Sequence, residues 1–259
     1  MKILVLLKAV AANTGGYTGE ERRNTELVPN PADITALEEA LSLRDSLGGE
    51  VTALTMGPAS ALPLLRDAVA RGADRAAALM DAAFAGADTA ATSRVIAAAV
   101  ERLGGFDLIL CGRKTTDGET GQVGTELAAR LGLGFITNCL SLSIDAGRVE
   151  CRRLADGGTE TLSAPLPLLA SVVYGINSPR LASIEGLRRA KRTDCEIMDR
   201  AALALPRSDC GITGSPTQVL RSFASPFEKR QAEFVPADRP DIALARIEAL
   251  LAGGRRTDG

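Results

Sequence analysis

Short apolar runs alternate with stretches of helical periodicity over the first half of the chain. Four runs have the length of strands buried on both faces, namely residues 3–7, 51–56, 75–80 and 106–111. Helices are predicted after them, over residues 31–47, 59–71, 88–103 and 122–131. Because strands and helices alternate with short connections, the pattern predicts a doubly wound, mostly parallel α/β sheet.

The pattern changes after residue 135. Antiparallel strands are predicted over residues 135–144, 148–154 and 160–163, with a hairpin turn at 156–158. An apolar strand over 168–173 and a short helix near 184–190 follow, and a polar loop or hairpin is predicted earlier, over 13–27. Prolines interrupt the chain from about residue 196. We therefore predict an α/β domain over 1–195 and an extended C-terminal arm with a terminal helix over 196–259.

The composition excludes several classes of chemistry. Histidine is absent, which excludes Ser-His-Asp and Cys-His hydrolases, histidine-ligated zinc and a histidine general base. The net charge is only −2 and aromatic residues make up 3%, so neither nucleic acid nor an anionic membrane is an expected partner. The five cysteines form no C-x-x-C motif, so we expect neither disulfides nor a metal site. No signal peptide or membrane span is apparent, and we expect a cytoplasmic protein.

The polar loop after the fourth strand carries the clearest candidate chemistry. Residues 112–124 are rich in glycine and hydroxyl side chains and lead into a helix N-terminus. Backbone N–H groups and the positive end of the helix attract phosphate at such a place, and Gly121 and Gly124 let the backbone approach a ligand. An ordinary βα turn explains the same composition equally well. The loop is neither a Walker A motif nor G-x-G-x-x-G.

In a doubly wound sheet, ligands bind at the edge formed by the carboxyl ends of the strands, and four loops are predicted at this edge, after residues 7, 56, 80 and 111. Two other helix starts are expected at the same edge of the sheet. One is Asn30-Pro31-Ala32-Asp33, and the other is formed by Asp88, Thr89 and Thr92. Helix capping alone explains each of them. Three helix N-termini at one sheet edge exceed what capping requires, and together they suit an anionic nucleotide.

Seven segments in register resemble the beta subunit of electron-transfer flavoproteins over nearly the whole chain. They are residues 2–8, 30–41, 56–58, 71–75, 112–124, 177–180 and 214–219. The resemblance implies a domain of the adenine-nucleotide-binding type whose C-terminal arm wraps an alpha subunit that holds FAD. It implies AMP on the beta subunit or, in the electron-bifurcating branch, a second FAD. Residues 84–93 and 117–124 resemble the FAD-holding branch, so FAD is favoured over AMP.

The resemblance also assigns roles to individual residues. Leu6 and Met56 would line the adenine pocket, while Asp88, Thr89 and Thr92 would approach a bound flavin. Ribose and phosphates would be held by Asn30, Pro31, Ala32, Asp33, Gly112, Arg113, Lys114, Thr115, Thr116, Asp117, Gly118, Glu119, Thr120, Gly121, Gln122 and Val123, and the cofactor-binding loop would extend to Gly124 and Thr125. Partner recognition would fall to Tyr174, Ile176, Asn177, Pro179 and Arg180, with Ile176 at the tip of the docking loop.

The expected function is that of an electron-carrier subunit. It would dock redox partners such as an acyl-CoA dehydrogenase, and its bifurcating form would accept a hydride from NADH. No side chain is expected to act as acid, base or nucleophile, because the redox chemistry belongs to the flavin. Two rivals remain open: an adenine-nucleotide hydrolase or ligase, and a nucleotide sensor of the universal-stress type. The first would need a Ser-Gly-Gly loop where residues 9–12 stand, and the second would lack the proline-rich arm.

Overall fold

The computed structural model describes residues 1–12, 26–220, 234–236 and 238–253, so most of the predicted loop over 13–27 lies outside the described residues. The chain divides into two units, Met1–Phe223 and Ala224–Gly259. The described strands are β1 (Lys2–Leu6), β2 (Ala9–Ala11), β3 (Leu27–Pro29), β4 (Glu50–Met56), β5 (Arg75–Leu79), β6 (Leu108–Gly112), β7 (Gly134–Asp145), β8 (Arg148–Ala155), β9 (Gly158–Pro165), β10 (Leu168–Val172) and β11 (Glu196–Met198). The described helices are α1 (Pro31–Leu47), α2 (Leu62–Arg71), α3 (Thr89–Arg102), α4 (Val123–Leu131), α5 (Ile184–Ala190), α6 (Gly211–Gly214) and, in the second unit, α7 (Pro240–Gly253).

Within the described residues, one large sheet has the strand order β11-β5-β4-β1-β6-β10-β7-β8-β9. All neighbours from β11 to β7 are parallel, and β7, β8 and β9 pair antiparallel. Strands β2 and β3 form a separate antiparallel pair. The chain passes from β1 to β4 on one side and returns to β6 on the other, which creates a switch point between β1 and β6. The predicted fold class is thereby confirmed.

Helices cover both faces of the parallel sheet, which explains the continuous apolar runs in the sequence. On β1, Ile3 and Val5 pack in the layer that contains α1 and α2. The alternate residues, Leu4 and Leu6, pack in the opposite layer with α3 and α4. Because both faces are buried, every central position of the strand is apolar.

The first compact unit extends beyond residue 195, where the sequence predicted the arm to begin. Strand β11 pairs in parallel with β5, and Met198, Leu203 and Cys210 are buried in the core layer that contains α3. Single apolar residues on an irregular segment fill this part of the core without a repeating pattern. In the second unit, α7 exposes Leu244, Ile247 and Leu251.

Candidate functional site

A cleft of about 1300 Å³ opens at the carboxyl edge of the parallel strands. Its walls are formed by the segments that follow β1, β4, β5 and β6, which are the four loops that the sequence placed at this edge. The cleft therefore lies at the switch point of the sheet. It is larger than ordinary small-molecule sites, which measure roughly 300–1,000 Å³, and it has room for a dinucleotide.

Most of the residues predicted to bind a cofactor line this cleft. They are Leu6, Asp33, Met56, Asp88, Thr89, Thr92, Gly112, Arg113, Lys114, Thr115, Gly118, Thr120, Gly121, Gln122, Val123 and Gly124. The structure places the others outside the lining, namely Asn30, Pro31, Ala32, Thr116, Asp117, Glu119 and Thr125. The lining also includes residues to which the sequence analysis assigned no binding role, namely Lys8, Asp81, Phe84 and Thr217.

Asn30 fixes the loop over 112–121 and does not cap its own helix. It stands at the N-cap position of α1, but its side chain makes no capping hydrogen bond. Its Nδ2 donates to the Lys114 carbonyl (3.1 Å), and its Oδ1 accepts from the Thr116 amide (3.3 Å). The prediction that Asn30 caps α1 through its side chain is therefore wrong, because the amide satisfies two groups of a loop more distant in sequence.

Two of the cations at the cleft are neutralised within the chain. The Lys8 ammonium lies 2.9 Å from the Asp117 carboxylate, and the Lys114 ammonium lies 3.4 Å from that of Glu119. The Arg113 side chain has no hydrogen bond or ion pair with any residue that the structure describes. Arg113 is therefore the cation of this loop that remains available to a bound anion.

Asp33 joins the two strands that flank the switch point. Its carboxylate accepts hydrogen bonds from the Lys8 amide after β1 (2.8 Å) and from the Gly112 amide of β6 (3.0 Å). Burial raises the pKa of Asp33 to about 6, although these hydrogen bonds, Asn30 and the Lys8 charge oppose the shift. Burial and the neighbouring Asp33 also raise the pKa of the Cys111 thiol to about 12, so Cys111 remains a protonated, unreactive thiol.

The raised pKa of Asp33 predicts a stability that depends on pH. Because the pKa of Asp33 in the folded protein lies above the ordinary value of 3.8 for an aspartate, its contribution to the free energy of unfolding is complete below pH 4 and is lost as pH rises through 6. Between pH 4 and pH 7 the free energy of unfolding should fall by up to about 3 kcal/mol more in the wild type than in Asp33→Asn. Urea denaturation of both proteins across this range measures the difference, and parallel pH profiles would contradict the prediction.

The three helix ends at the cleft differ in what they offer a ligand. The N-terminus of α4 begins at Val123 and has no side-chain cap, so its first N–H groups are free for an anion. The first turn of α1 holds Asp33, and α3 is capped by the Asp88 carboxylate, which accepts from the Ala91 amide (2.9 Å). Glu126 lies in the first turn of α4, as Asp33 lies in that of α1, so an acid stands at each of the three helix starts. The Glu126 carboxylate accepts from side chains of α3 and leaves the first N–H groups of α4 without a side-chain cap. That the three helix ends together bind an anion stays a prediction.

The predicted docking loop is anchored to α1 over most of its length. Ile176 is half-buried against the core and does not form an exposed tip. Asn177 Nδ2 donates to the Thr35 carbonyl (3.0 Å) and to Glu39 (2.9 Å), Arg180 pairs with Glu38 (3.0 Å), and Pro179 between them is half-buried. The large apolar side chains that this region exposes are Tyr174, Leu181, Ile184 and Leu187. The last three could have been found in the sequence as apolar residues that recur every third position just before the basic run over 188–192.

Metal and membrane sites are not found in the described parts of the chain. No cluster of three or more cysteine, aspartate or glutamate residues there could hold a metal ion. None of the described helices combines the length and the hydropathy that a transmembrane span requires. The cleft is therefore the feature that carries the functional interpretation.

A doubly wound sheet with a dinucleotide-sized cleft at its switch point is the architecture of α/β proteins that bind nucleotides. Residues 21–203 match the sequence profile described as "Electron transfer flavoprotein domain". The chain belongs to the electron transfer flavoprotein family, in the group of its beta subunits, as the following relatives show.

The similarity to these relatives extends over most of both chains. Protein FixA of Bradyrhizobium diazoefficiens is 39% identical over 232 residues, which are 86% of this chain and 81% of the relative. The electron transfer flavoprotein subunit beta of Thermoanaerobacterium thermosaccharolyticum is 35% identical over 257 residues, 96% of this chain and 98% of the relative. The caffeyl-CoA reductase-Etf complex subunit CarD of Acetobacterium woodii is 39% identical over 233 residues, 87% and 88% respectively. The predicted family is confirmed.

Proposed function

We propose that this chain is the electron-carrier subunit of a heterodimeric electron transfer flavoprotein and that its cleft holds FAD. The observation that carries the proposal is that the cleft offers two kinds of binding group. The N–H groups at the start of α4 and the Arg113 cation suit a diphosphate. Asp88 and Thr89 at the start of α3 suit hydroxyl and N–H groups.

FAD fits these residues better than AMP does. The volume of about 1300 Å³ exceeds the need of a mononucleotide, which would leave the end at α3 without a ligand. Leu6 and Met56 would contact the adenine, and Gly121, which has a φ of +64°, keeps the loop open to the phosphates. Asn30 and Asp117 would act indirectly, by fixing this loop. Bound FAD would supply the redox chemistry, while the chain binds and orients it.

The alpha subunit and the redox partners would bind elsewhere on the chain. The exposed apolar residues of α7 offer a stripe for a second polypeptide, consistent with an arm that wraps an alpha subunit carrying its own FAD. Tyr174, Leu181, Ile184 and Leu187 offer a surface for a redox partner such as an acyl-CoA dehydrogenase. With FAD in the cleft, the complex would take a hydride from NADH and divide the two electrons between acceptors. The free cysteines favour a reducing, cytoplasmic location.

The nucleotide content of the purified heterodimer tests this proposal. The chain is coexpressed with an alpha subunit, and the nucleotides that acid releases from the complex are separated and counted. We expect two FAD per heterodimer. One FAD and one AMP would support the alternative, a non-bifurcating beta subunit with structural AMP. A complex with neither nucleotide in the cleft, or turnover of MgATP by the chain, would overturn the proposed function.

A further inference from the structure

Thr89 at the α3 end of the cleft can only accept hydrogen bonds from a ligand. Its Oγ1 donates to Oε1 of Glu126 on α4 at 2.8 Å. A threonine hydroxyl has one hydrogen and two acceptor positions. Because that hydrogen is directed to Glu126, Thr89 has only lone pairs left for the cleft that it lines.

Glu126 is held in place by a network that joins α3 and α4. Its other oxygen, Oε2, lies 3.1 Å from the hydroxyl of the completely buried Ser93, whose single hydrogen is shared between Oε2 and the Ala90 carbonyl at 3.0 Å. Arg130 Nε donates to the same hydroxyl at 2.9 Å, and its Nη2 donates to the Ala90 carbonyl at 3.2 Å. Rotation of Glu126 away from Thr89 would therefore also remove Oε2 from the Ser93 hydroxyl.

Asp88 adds negative charge beside Thr89. Its Oδ1 accepts from the Ala91 amide (2.9 Å), and its Oδ2 accepts from the amide (3.0 Å) and hydroxyl (2.7 Å) of Thr217. Burial alone would raise the pKa of Asp88, but these hydrogen bonds outweigh it and hold the pKa below its usual value. The Asp88 carboxylate thus bonds an amide in the first turn of α3. The acid in the first turn of α4, Glu126, instead accepts from Thr89 and Ser93 of α3, so the first N–H groups of α4 have no side-chain cap.

We propose that Glu126 is a specificity-determining residue, which fixes Thr89 as an acceptor so that the α3 end of the cleft takes neutral donor groups and rejects phosphate. This inference rests on the proposed function and deepens it. The donors would be hydroxyls of the ribityl chain of FAD, and the diphosphate would lie toward α4 and Arg113. The residue acts through Thr89, so its role is to position a ligand-binding hydroxyl. AMP has no group that corresponds to the ribityl chain.

Two substitutions in the heterodimer test this role. Glu126→Met keeps a side chain of similar length but removes the acceptor, and Thr89→Val removes the hydroxyl. After removal of the bound nucleotide, the affinities for FAD and AMP are measured by calorimetry. Each variant should weaken FAD binding by about three- to tenfold, the effect of one lost hydrogen bond, and should change AMP binding less than twofold. Thr89→Ser, which keeps the hydroxyl, should bind FAD with the affinity of the wild type.

Glu101→Met is the matched control, because Glu101 is an exposed residue of α3 outside the cleft lining. It should leave both affinities unchanged. If Glu126→Met and Thr89→Val weaken the binding of FAD and AMP equally, or leave the binding of FAD unchanged, Glu126 only stabilises the contact between α3 and α4 and the inference is overturned. Wild-type complex that binds AMP but not FAD overturns it as well. Wild-type complex that binds neither nucleotide is the separate result that refutes the proposed function itself.

Discussion

Gly112→Ala should destabilise the fold by about 3 kcal/mol and prevent nucleotide uptake. A methyl group at this position would overlap Oδ1 of Asp33 and would lie 2.7 Å from Cβ and 2.8 Å from the carbonyl carbon of Ala32. All three atoms belong to residues in the first turn of α1, which is packed against the sheet. The strand and the helix would therefore have to separate.

Strand β6 and the first turn of α1 cannot move apart without the loss of hydrogen bonds. Gly112 is paired in register with Val172 of β10, and its amide donates to Asp33. Displacement of either element would break this hydrogen bond and leave a buried carboxylate with fewer donors. Urea denaturation measures the loss of stability, and the nucleotide content of the purified complex measures the loss of binding.

Gly118→Ala provides a control from the same loop. The nearest atom to a methyl group there is Oγ1 of Thr115, at 3.6 Å, which is an ordinary van der Waals contact. We expect a change in the free energy of unfolding of less than about 0.5 kcal/mol. If Gly112→Ala is as stable as Gly118→Ala, the close approach of α1 to β6 is not a constraint on the fold.

The parallel sheet could be predicted well from the sequence, because the spacing of apolar residues within each strand and helix reflects which faces of that element are buried. The start of α1 follows from Asn30-Pro31, and its end follows from Gly48, whose φ is +77°. The four predicted loops meet at one cleft because the carboxyl ends of parallel strands share one edge. A periodic pattern thus determines both the elements and the edge at which a site forms.

The partners of individual polar side chains are not encoded in such patterns. Asn30 has the residue type and the place of a helix cap, yet it binds a loop 84 residues away. Thr89 and Glu126 are 37 residues apart, and only the packing of α3 against α4 makes one the donor and the other the acceptor. The position of Ile176 is not encoded locally either. The sequence allowed its apolar side chain to lie at an exposed loop tip or against the core, and in the structure it packs against the core. Such long-range choices require the structure.

Arg180→Gln should lower the free energy of unfolding by about 3 kcal/mol, because it leaves a buried carboxylate without its cation. The guanidinium contacts both oxygens of Glu38 at 3.0–3.1 Å, and Nη1 contacts Asp45 at 2.8 Å. The Glu38 side chain is only 10% exposed. Burial would raise the pKa of Glu38, but the hydrogen bonds and charge of Arg180 hold it below the usual value.

The dependence of this loss on pH separates the charge effect from lost packing. Without Arg180 the pKa of Glu38 should rise, so the variant should approach the stability of the wild type as pH falls and Glu38 is protonated. Denaturation at pH 7 and pH 4 measures this change. Arg75→Gln is the control, since Arg75 pairs with Glu196 at 3.5 Å and both side chains are more than 40% exposed. It should cost less than about 1 kcal/mol.

A second substitution decides whether the buried charge is the cause. Glu38→Gln in the Arg180→Gln background removes the uncompensated carboxylate, so the double variant should be more stable at pH 7 than Arg180→Gln alone. Because Asn177 still ties the loop to the Thr35 carbonyl, residues 174–180 should keep their place on α1. If the double variant is no more stable than the single one, Arg180 acts through packing of its side chain. The ion pair would then contribute little to anchoring the docking loop.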